Sequence, residues 1–256
     1  MRGRVLLLLA STLLAGPGCG DETRAPTGVE LGERLFHAGP HLGGSKQNEL
    51  VCATCHATTP AGDRAGGTVY VGGSLHDVMA RRGWWNGEIT SSLQAVSACL
   101  TFFMKGDARG VPGDSPEMRA LFEYLASLSP SPSASLEARR FSLPPQVRTV
   151  IPAGDRARGA EMYARACATC HGAYGSGQGR LEPALTPWFP DAFRDYCSVF
   201  AEPKVPLPLV VQEKIRHGQF FGAGGSMPPF AEELLSDAEI GDLLALLELP
   251  DCGDGR

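Results

Sequence analysis

The sequence predicts an all-α protein built from two similar units. A five-residue segment, Cys-Ala-Thr-Cys-His, occurs twice, at positions 52–56 and 167–171. Each unit ends in an amphipathic segment with helical spacing, at 115–128 and at 236–249. No segment shows the strict alternation of apolar and polar residues that is typical of a half-buried strand. We therefore expect two helical domains with long ordered loops.

The repeated segment has the spacing of a covalent haem-attachment site. Two thiols three positions apart can each add to one vinyl group of a porphyrin, and the next imidazole can coordinate the iron from the same side. A lone Cys-x-x-Cys is also compatible with a redox dithiol or half a zinc site, but the adjoining histidine in both copies disfavours these. The expected attachment residues are Cys52, Cys55, Cys167 and Cys170, and the expected iron ligands are His56 and His171. The sequence therefore predicts two covalently bound haem c groups.

Each unit opens with a glycine followed four residues later by an aromatic residue: Gly32 with Phe36, then Gly159 with Tyr163. Residues four apart share one face of a helix. A glycine on that face allows a second helix to approach closely.

The closing helices have clear start signals. Asp114 or Ser115 can cap the first, with Pro116 in its first turn, and 236–239 reads as a Ser-x-x-Glu capping box. A further helix is predicted over 91–105.

The chain divides into five segments. Residues 1–18 read as an export signal, 19–27 as a polar tether, and 28–129 as the first domain. Residues 130–152 are rich in proline and serine and read as an extended linker with no part in a core, and 153–256 form the second domain.

The end of the export segment, Gly16-Pro17-Gly18-Cys19, resembles a bacterial lipoprotein cleavage site. That resemblance implies lipidation of Cys19 and a membrane anchor. The alternative is ordinary secretion. Both predict an exported, periplasmic protein, which is where c-type haem is attached.

Three of the eight cysteines remain after the haem segments and Cys19. Cys197 and Cys252 lie in the second half and are a plausible disulfide pair in an exported protein. Cys99 is left over.

The formal net charge is −5, and no block of Lys and Arg stands out. This excludes the usual footprint of nucleic-acid binding. It weakly favours a redox partner with a basic surface.

The second unit resembles small class I cytochrome c domains, through the 167–171 segment, Met227-Pro228-Pro229-Phe230 and the closing helix. In that family the methionine beside the proline binds the iron opposite the histidine. The resemblance therefore implies Met227 as the second axial ligand, with His217 as the competing candidate.

The first unit is similar to the first domain of thiosulfate dehydrogenases over 99–106 and 115–124. In those di-haem cytochromes a cysteine thiolate binds the first iron, which implies Cys99 here. Met104 and His76 remain alternatives. We expect the helix to keep Cys99 and Met104 from both facing the iron.

A second resemblance, to di-haem cytochrome c peroxidases, rests on 31–37 and on Trp84-Trp85-Asn86-Gly87. Asn86 and Glu88 replace the Asp and Arg of that family's segment. We expect Trp84 and Trp85 to pack against the first haem.

Three functions follow, in order of preference. The first is electron transfer between extracytoplasmic redox proteins. The second is oxidation of a small sulfur anion at the first haem, with Cys99 as the catalytic residue and Lys105 and Arg109 supplying positive charge. The third is a peroxidase.

Overall fold

The computed structural model describes residues 27–38, 50–60, 62–106, 112–129, 136, 139–144, 148–183, 185, 206–218 and 226–249. Within these ranges the regular structure is helical, and β-type pairing is limited to isolated bridges such as Ala57 with Ser74. The predicted all-α fold class is confirmed.

The described helices follow one another with long connections. In chain order they are α1 (Gly28–His37), α2 (Cys52–Cys55), α3 (Ser92–Phe102), α4 (Pro116–Ser127), α5 (Arg156–Ala166), α6 (Ala168–His171), α7 (Leu207–His217) and α8 (Asp237–Leu247). Short 3₁₀ segments occupy Gly62–Gly67, Val78–Ala80 and Trp85–Gly87.

Both closing helices start where the sequence predicts. Ser115 caps α4 by accepting a hydrogen bond from the Met118 amide at 3.1 Å. The capping box of α8 is formed, because Ser236 accepts from the Glu239 amide and the Glu239 carboxylate accepts from the Ser236 amide. These bonds satisfy amides that would otherwise lack partners in the first turn.

Helix α3 is shorter than predicted and ends at Phe102. Lys105 has a φ of +54°, which ends the helical path, and the Gly106 amide donates to the Leu100 carbonyl at 2.9 Å. The hydrogen bond from Gly106 back to Leu100 closes a C-terminal capping turn that contains a left-handed residue. Met104 therefore lies beyond the helix, in the capping turn.

In each unit, the glycine of the glycine–aromatic pair lies where two helices pack closely against each other. A Cβ atom on Gly32 of α1 would overlap the Ala120 carbonyl of α4, and one on Gly159 of α5 would overlap the Asp242 carbonyl of α8. Phe36 and Tyr163, one turn later, are buried in the corresponding cores. The role expected for both glycines is confirmed.

Two hydrophobic clusters form the core. One joins α1 and α4 through Phe36, Met118 and Leu121. The other is built mainly from α5, α7 and α8, yet it includes Val69 from the first half of the chain. The Val69 amide also donates to the Arg165 carbonyl at 2.8 Å, so the two halves share a packed boundary.

Part of the predicted linker is packed rather than extended through solvent. Phe141 contacts the second core cluster, and its backbone is held by the Asn86 side chain. The expected linker therefore packs against a core cluster at this residue, while its bounds stay a prediction. A distant amide side chain supplies the hydrogen bonds that the local sequence could not predict.

Several predictions concern residues outside the described ranges. These are the export signal at 1–18, lipidation of Cys19, the Cys197–Cys252 pair and the role of Arg109. The domain boundaries also stay predictions. Within the described ranges, none of the helices has the length and apolar character needed to cross a bilayer.

Candidate haem site

Both Cys-Ala-Thr-Cys-His segments open onto one continuous cavity of about 450 Å³. The wall of this cavity contains all six predicted attachment and proximal residues, namely Cys52, Cys55, His56, Cys167, Cys170 and His171. Most other wall residues are apolar, among them Leu75, Met79, Val96 and Leu234. The structure thus brings together two segments that are more than one hundred residues apart in the sequence.

The four motif cysteines are free thiols of intermediate exposure. Burial raises the pKa of Cys52 to about 11 and that of Cys167 to about 12. For Cys55, burial and the nearby Cys170 both raise the pKa, which reflects how close the two segments lie. Neutral thiols in an apolar cavity suit thioether formation better than a thiolate zinc site, where cations or a metal must stabilise charge.

The imidazole of His56 is oriented by the turn at Gly72 and Gly73. Its Nδ1 atom lies 3.3 Å from the Gly73 carbonyl oxygen, and Gly72 lies so close to the ring that a Cβ there would overlap it. Burial lowers the pKa of His56, which favours the neutral ring. With the proton on Nδ1, the Nε2 lone pair is available to a metal, as in most protein histidine ligands.

A glycine turn fixes the backbone just after His171. Gly172 has a φ of +74°, and a Cβ there would lie 2.6 Å from the Gly177 carbonyl oxygen. The Tyr163 hydroxyl donates to the Gly172 carbonyl at 3.1 Å. Only glycine tolerates both this φ and this close approach, so the turn holds α6 in place.

Met227 also lines the cavity, in a segment that is held by helix α7. The fully buried Arg216 donates to the carbonyls of Phe230 and Leu235 at 2.6 and 2.8 Å. It also pairs with Asp237 at 2.7 Å. A buried guanidinium with three acceptors is a strong anchor, because losing any one would leave desolvated polar groups.

His217, the alternative to Met227, is not part of the cavity wall. Its Nε2 atom lies 2.6 Å from the Pro144 carbonyl oxygen, and its Nδ1 atom lies 2.9 Å from the Glu213 carboxylate. The structure therefore gives His217 polar neighbours on both sides of its ring, away from the cavity.

The three candidates for the second ligand of the first haem are separated by their positions. Cys99 and Met104 both line the cavity, whereas His76 does not. The His76 Nδ1 atom instead pairs with the Asp77 carboxylate at 2.7 Å. Of the three candidates for this ligand, Cys99 and Met104 are therefore the two that line the cavity.

Cys99 lies on α3, and Met104 lies in the turn that follows. Both residues line the same cavity, and the Met104 amide donates to the Cys99 carbonyl at 3.2 Å. Because α3 ends two residues before Met104, the two residues do not lie on one continuous helix. Which of them would face the iron stays a prediction. Burial raises the pKa of Cys99 to about 12, so a thiolate there needs a bound cation.

Two arginines on the cavity wall were missed by sequence reasoning. Arg81 donates to the Ser74 and His76 carbonyls at 2.9 and 2.7 Å, and burial lowers the pKa of its guanidinium. Arg139 pairs with Asp63 and lies over the Phe141 ring. Two guanidinium groups facing an apolar cavity suit a ligand that carries carboxylates, and haem carries two propionates. No local pattern in the sequence predicts that Arg81 and Arg139 lie on the same cavity wall.

Trp84 and Trp85 both line the cavity, and Trp85 stacks on Phe103 with ring centroids 5.9 Å apart. Asn86, which occupies the position of the peroxidase aspartate, has its amide engaged with the Phe141 backbone. This side chain therefore holds the backbone at Phe141.

Taken together, the wall residues fit haem c. They supply two pairs of thiols, two histidines, the sulfur atoms of Cys99, Met104 and Met227, and guanidinium groups for carboxylates. Sequence reasoning missed the supporting residues Gly72, Arg81, Arg139 and Arg216, and it noted Asn86 only as a departure from the peroxidase segment.

The family model described as "Cytochrome C oxidase, cbb3-type, subunit III" matches residues 154–247. Residues 154–247 form a cytochrome c-type domain. Domains of this type carry covalent haem c and transfer electrons, so the match supports a haem electron-transfer role for this part of the chain. The match spans the second Cys-Ala-Thr-Cys-His segment and Met227 but not the first segment.

A thiosulfate dehydrogenase, TsdBA from Marichromatium purpuratum in its as-isolated form, is similar to the chain with a TM-score of 0.41 and 20% identity. The similarity covers 94% of this chain and 51% of that chain, so this protein spans about half the length of that structure. No curated protein matches the sequence.

Proposed function

We propose that this protein is an exported di-haem c-type cytochrome that carries electrons between extracytoplasmic redox partners. The observation that supports this most strongly is the shared cavity, because both haem-attachment segments line it. Two redox centres in one cavity would be close enough to exchange electrons without a mobile intermediate.

The proposed binding roles follow from the wall of the cavity. Cys52 and Cys55 would hold one haem, and Cys167 and Cys170 the other, through thioether bonds. Haem c supplies reversible one-electron chemistry when bound. His56 and His171 would be the proximal ligands, oriented by the Gly73 carbonyl and by the turn at Gly172.

The second axial ligands would set the order of the two potentials. Met227 is a soft, neutral ligand that stabilises ferrous iron and raises the potential. Cys99, or alternatively Met104, would face His56. A thiolate from Cys99 would stabilise ferric iron and make the first haem the low-potential centre.

If each iron had a protein ligand on both sides, as proposed, neither haem would offer an open position to a substrate. This supports an electron carrier over a peroxidase. The proposal also includes export by residues 1–18, an optional lipid anchor on Cys19, and domains at 28–129 and 153–256. The net charge of −5 favours a partner with a basic surface.

A potentiometric titration of the purified protein, followed by absorption, tests the carrier function. We expect two reversible one-electron waves, and rapid oxidation of the reduced protein by a basic acceptor cytochrome. The rate should fall with added salt, because attraction between charged surfaces is screened. A single wave, or a reduced protein that cannot pass electrons to any acceptor cytochrome, would contradict the proposal.

A second candidate function is oxidation of thiosulfate to tetrathionate, which joins two thiosulfates and releases two electrons. The position of Cys99 on the wall of the first haem site favours it, together with the sequence resemblance described above. Under this function Cys99 would be the catalytic residue. Lys105 and Arg109 would attract the anionic substrate.

Thiosulfate turnover by Cys99→Ala, with Met104→Leu as the matched variant, tests this second function. Loss of turnover in Cys99→Ala with both haems still attached supports it. Equal turnover in the wild-type protein and Cys99→Ala would exclude it, while leaving the electron carrier unaffected.

A further inference from the structure

Residues 139–144, called the inter-unit strap below, cross from the first unit to the second along the cavity. Three of them, Arg139, Phe141 and Leu143, are part of the cavity wall. The strap forms no helix or strand, so other groups must satisfy its backbone. Those groups come from both units.

The first unit holds the strap backbone at Phe141 through the amide side chain of Asn86. Asn86 accepts a hydrogen bond from the Phe141 amide at 2.7 Å and donates its own amide to the Phe141 carbonyl at 2.8 Å. Arg140 adds a bond of 3.2 Å to the Asn86 carbonyl. Asn86 has a φ of +60°, a conformation that asparagine and glycine adopt more readily than other residues.

This anchor places the strap against the turn that orients His56. A Cβ atom on Gly73 would lie 2.8 Å from Cζ of Phe141, so the ring directly supports the turn. On the same side, Arg139 pairs with Asp63, whose carboxylate accepts from the Ser74 amide at 2.8 Å. The Gly73 carbonyl is the acceptor that faces Nδ1 of His56.

The second unit holds the other half of the strap, close to the segment that carries Met227. The Ser142 amide and hydroxyl donate to the Glu233 carboxylate at 2.8 and 2.6 Å. The Glu232 amide donates back to the Ser142 carbonyl at 3.0 Å, and Pro144 receives the bond from His217. Glu232 follows shortly after Phe230, whose carbonyl is fixed by Arg216.

We infer that the inter-unit strap positions axial ligands of both haems, with Asn86 and Glu233 as positioning residues. It does so through the Gly73 turn at one end and the Met227 segment at the other. The inference rests on the proposed two-haem function. A ligand histidine becomes more or less basic as its second hydrogen bond strengthens or weakens, and this alters the metal it binds.

If the strap acts as one element, a substitution at one end should affect both haems. Loosening the Asn86 anchor would free Phe141 and weaken the support of Gly73, and it would also loosen Ser142 on the Glu233 side. If the strap were only a connector, each end would be held by its own unit. A substitution at one end would then loosen that end alone.

The experiment compares the holoprotein with Asn86→Gly, Asn86→Asp, Glu233→Ala and the double variant Asn86→Gly/Glu233→Ala. Glycine keeps the left-handed backbone at position 86 without strain, and aspartate keeps an acceptor for the Phe141 amide while losing the donor. Gln94→Ala and Glu161→Ala, at exposed positions, are the matched controls. Each protein is measured by hydrogen exchange at single-residue resolution, by potentiometric titration and for haem content.

In Asn86→Gly we expect exchange at the Phe141 and Ser142 amides to speed up about tenfold or more, as for a hydrogen bond worth about 1.4 kcal/mol. The reduced-to-oxidised ratio of the first haem at a fixed potential should change by about threefold or more, where tenfold corresponds to about 59 mV for one electron. In Asn86→Asp the Phe141 amide should stay protected. The effects of Asn86→Gly and Glu233→Ala on the potentials should not add, because both act on one element.

Two results would overturn the inference. One is a Ser142 amide that stays protected in Asn86→Gly, which would show that the strap is not one element. The other is a freed strap with both potentials equal to those of Gln94→Ala and Glu161→Ala. A missing haem in the wild-type protein would instead refute the proposed function, and haem content separates the two failures.

Discussion

Gly218 lies directly against the backbone of Met227, so that a Cβ atom at position 218 would overlap the Met227 carbonyl oxygen. Gly218 ends α7 with a φ of +57°, where a side chain is disfavoured. The same helix sends Arg216 to the Phe230 carbonyl. The end of α7 therefore sets the path of the segment that carries the proposed methionine ligand.

Replacing Gly218 by alanine should displace Met227 from the iron of the second haem. The new methyl group cannot fit without moving the Met227 backbone, and the left-handed φ adds strain of about 1–3 kcal/mol. We expect loss of the long-wavelength absorption band of methionine-ligated ferric haem, together with a lower potential. The absorption spectrum of the oxidised protein measures this.

Gly175→Ala is the matched control for that substitution. Gly175 also has a positive φ, of +80°, but nothing lies within 4 Å of a Cβ placed there. Gly175→Ala should therefore add backbone strain alone, and the long-wavelength absorption band of methionine-ligated ferric haem should remain. An unchanged band in Gly218→Ala would show that Met227 is not the ligand or that the segment moves freely.

Gly159→Ala should destabilise the second unit although alanine is the better helix former. In an open helix this change gains about 1 kcal/mol. Here the Cβ would overlap the Asp242 carbonyl of α8, which is backbone and cannot rotate away. We expect a net loss of about 1–3 kcal/mol, as for overpacked cores, measured by urea unfolding.

Gly28→Ala provides the comparison in the first unit. A Cβ at Gly28 meets the carboxylate end of Glu123, a flexible side chain that can move aside. Its effect on the free energy of unfolding should be within about 0.5 kcal/mol, as for ordinary surface positions. Equal losses in both variants would show that close helix approach is not what Gly159 provides.

Cys99→Ala should change the low-temperature EPR spectrum of the first haem, whereas Met104→Leu should leave it unchanged. Cys99 lines the cavity from α3, where the helix fixes its direction. A thiolate ligand gives a characteristic low-spin signal, and it also lowers the potential, so its removal should raise the potential of that haem. If Met104→Leu alters the signal and Cys99→Ala does not, Met104 is the ligand.

The pairing of Arg64 with Glu239 should make the free energy of unfolding fall at acid pH. Arg64 donates to the Glu239 carboxylate at 2.7 and 2.9 Å, and this pairing lowers the pKa of Glu239 to about 2. Because the pKa is lower in the folded state, the stabilisation is complete above the ordinary carboxylate pKa. It is lost as the pH falls towards 2.

Glu239→Gln isolates this effect, since glutamine can keep the capping box of α8 while removing the charge. Between about pH 5 and pH 2.5 the wild-type protein should lose about 1 kcal/mol relative to this variant, a value reduced by partial solvent exposure. Thermal unfolding across this range measures it. A parallel fall in Glu239→Gln would place the acid sensitivity elsewhere.

The sequence was sufficient to predict features that depend on neighbours in the chain. The caps at Ser115 and Ser236 and the close-packing role of Gly32 and Gly159 all follow from local spacing. These patterns depend on helix geometry over three to five residues, so they can be recognised without a structure.

Contacts between distant residues could not be predicted in the same way. The hydrogen bonds of Asn86 to Phe141 and of Ser142 to Glu233 join residues 55 and 91 positions apart. No periodicity connects such pairs, and a stretch rich in proline and serine usually indicates a free linker. The position of both Cys-Ala-Thr-Cys-His segments on one cavity likewise emerged only from the structure.

The number of haems tests the central claim most directly. The intact mass of the protein, expressed with export and haem-attachment machinery, should equal that of the processed polypeptide plus two haem c groups. Cys52→Ala/Cys55→Ala and Cys167→Ala/Cys170→Ala should each carry one. A wild-type mass with a single haem, retained when Cys52 and Cys55 are replaced, would contradict the account and leave the second domain as the sole cytochrome.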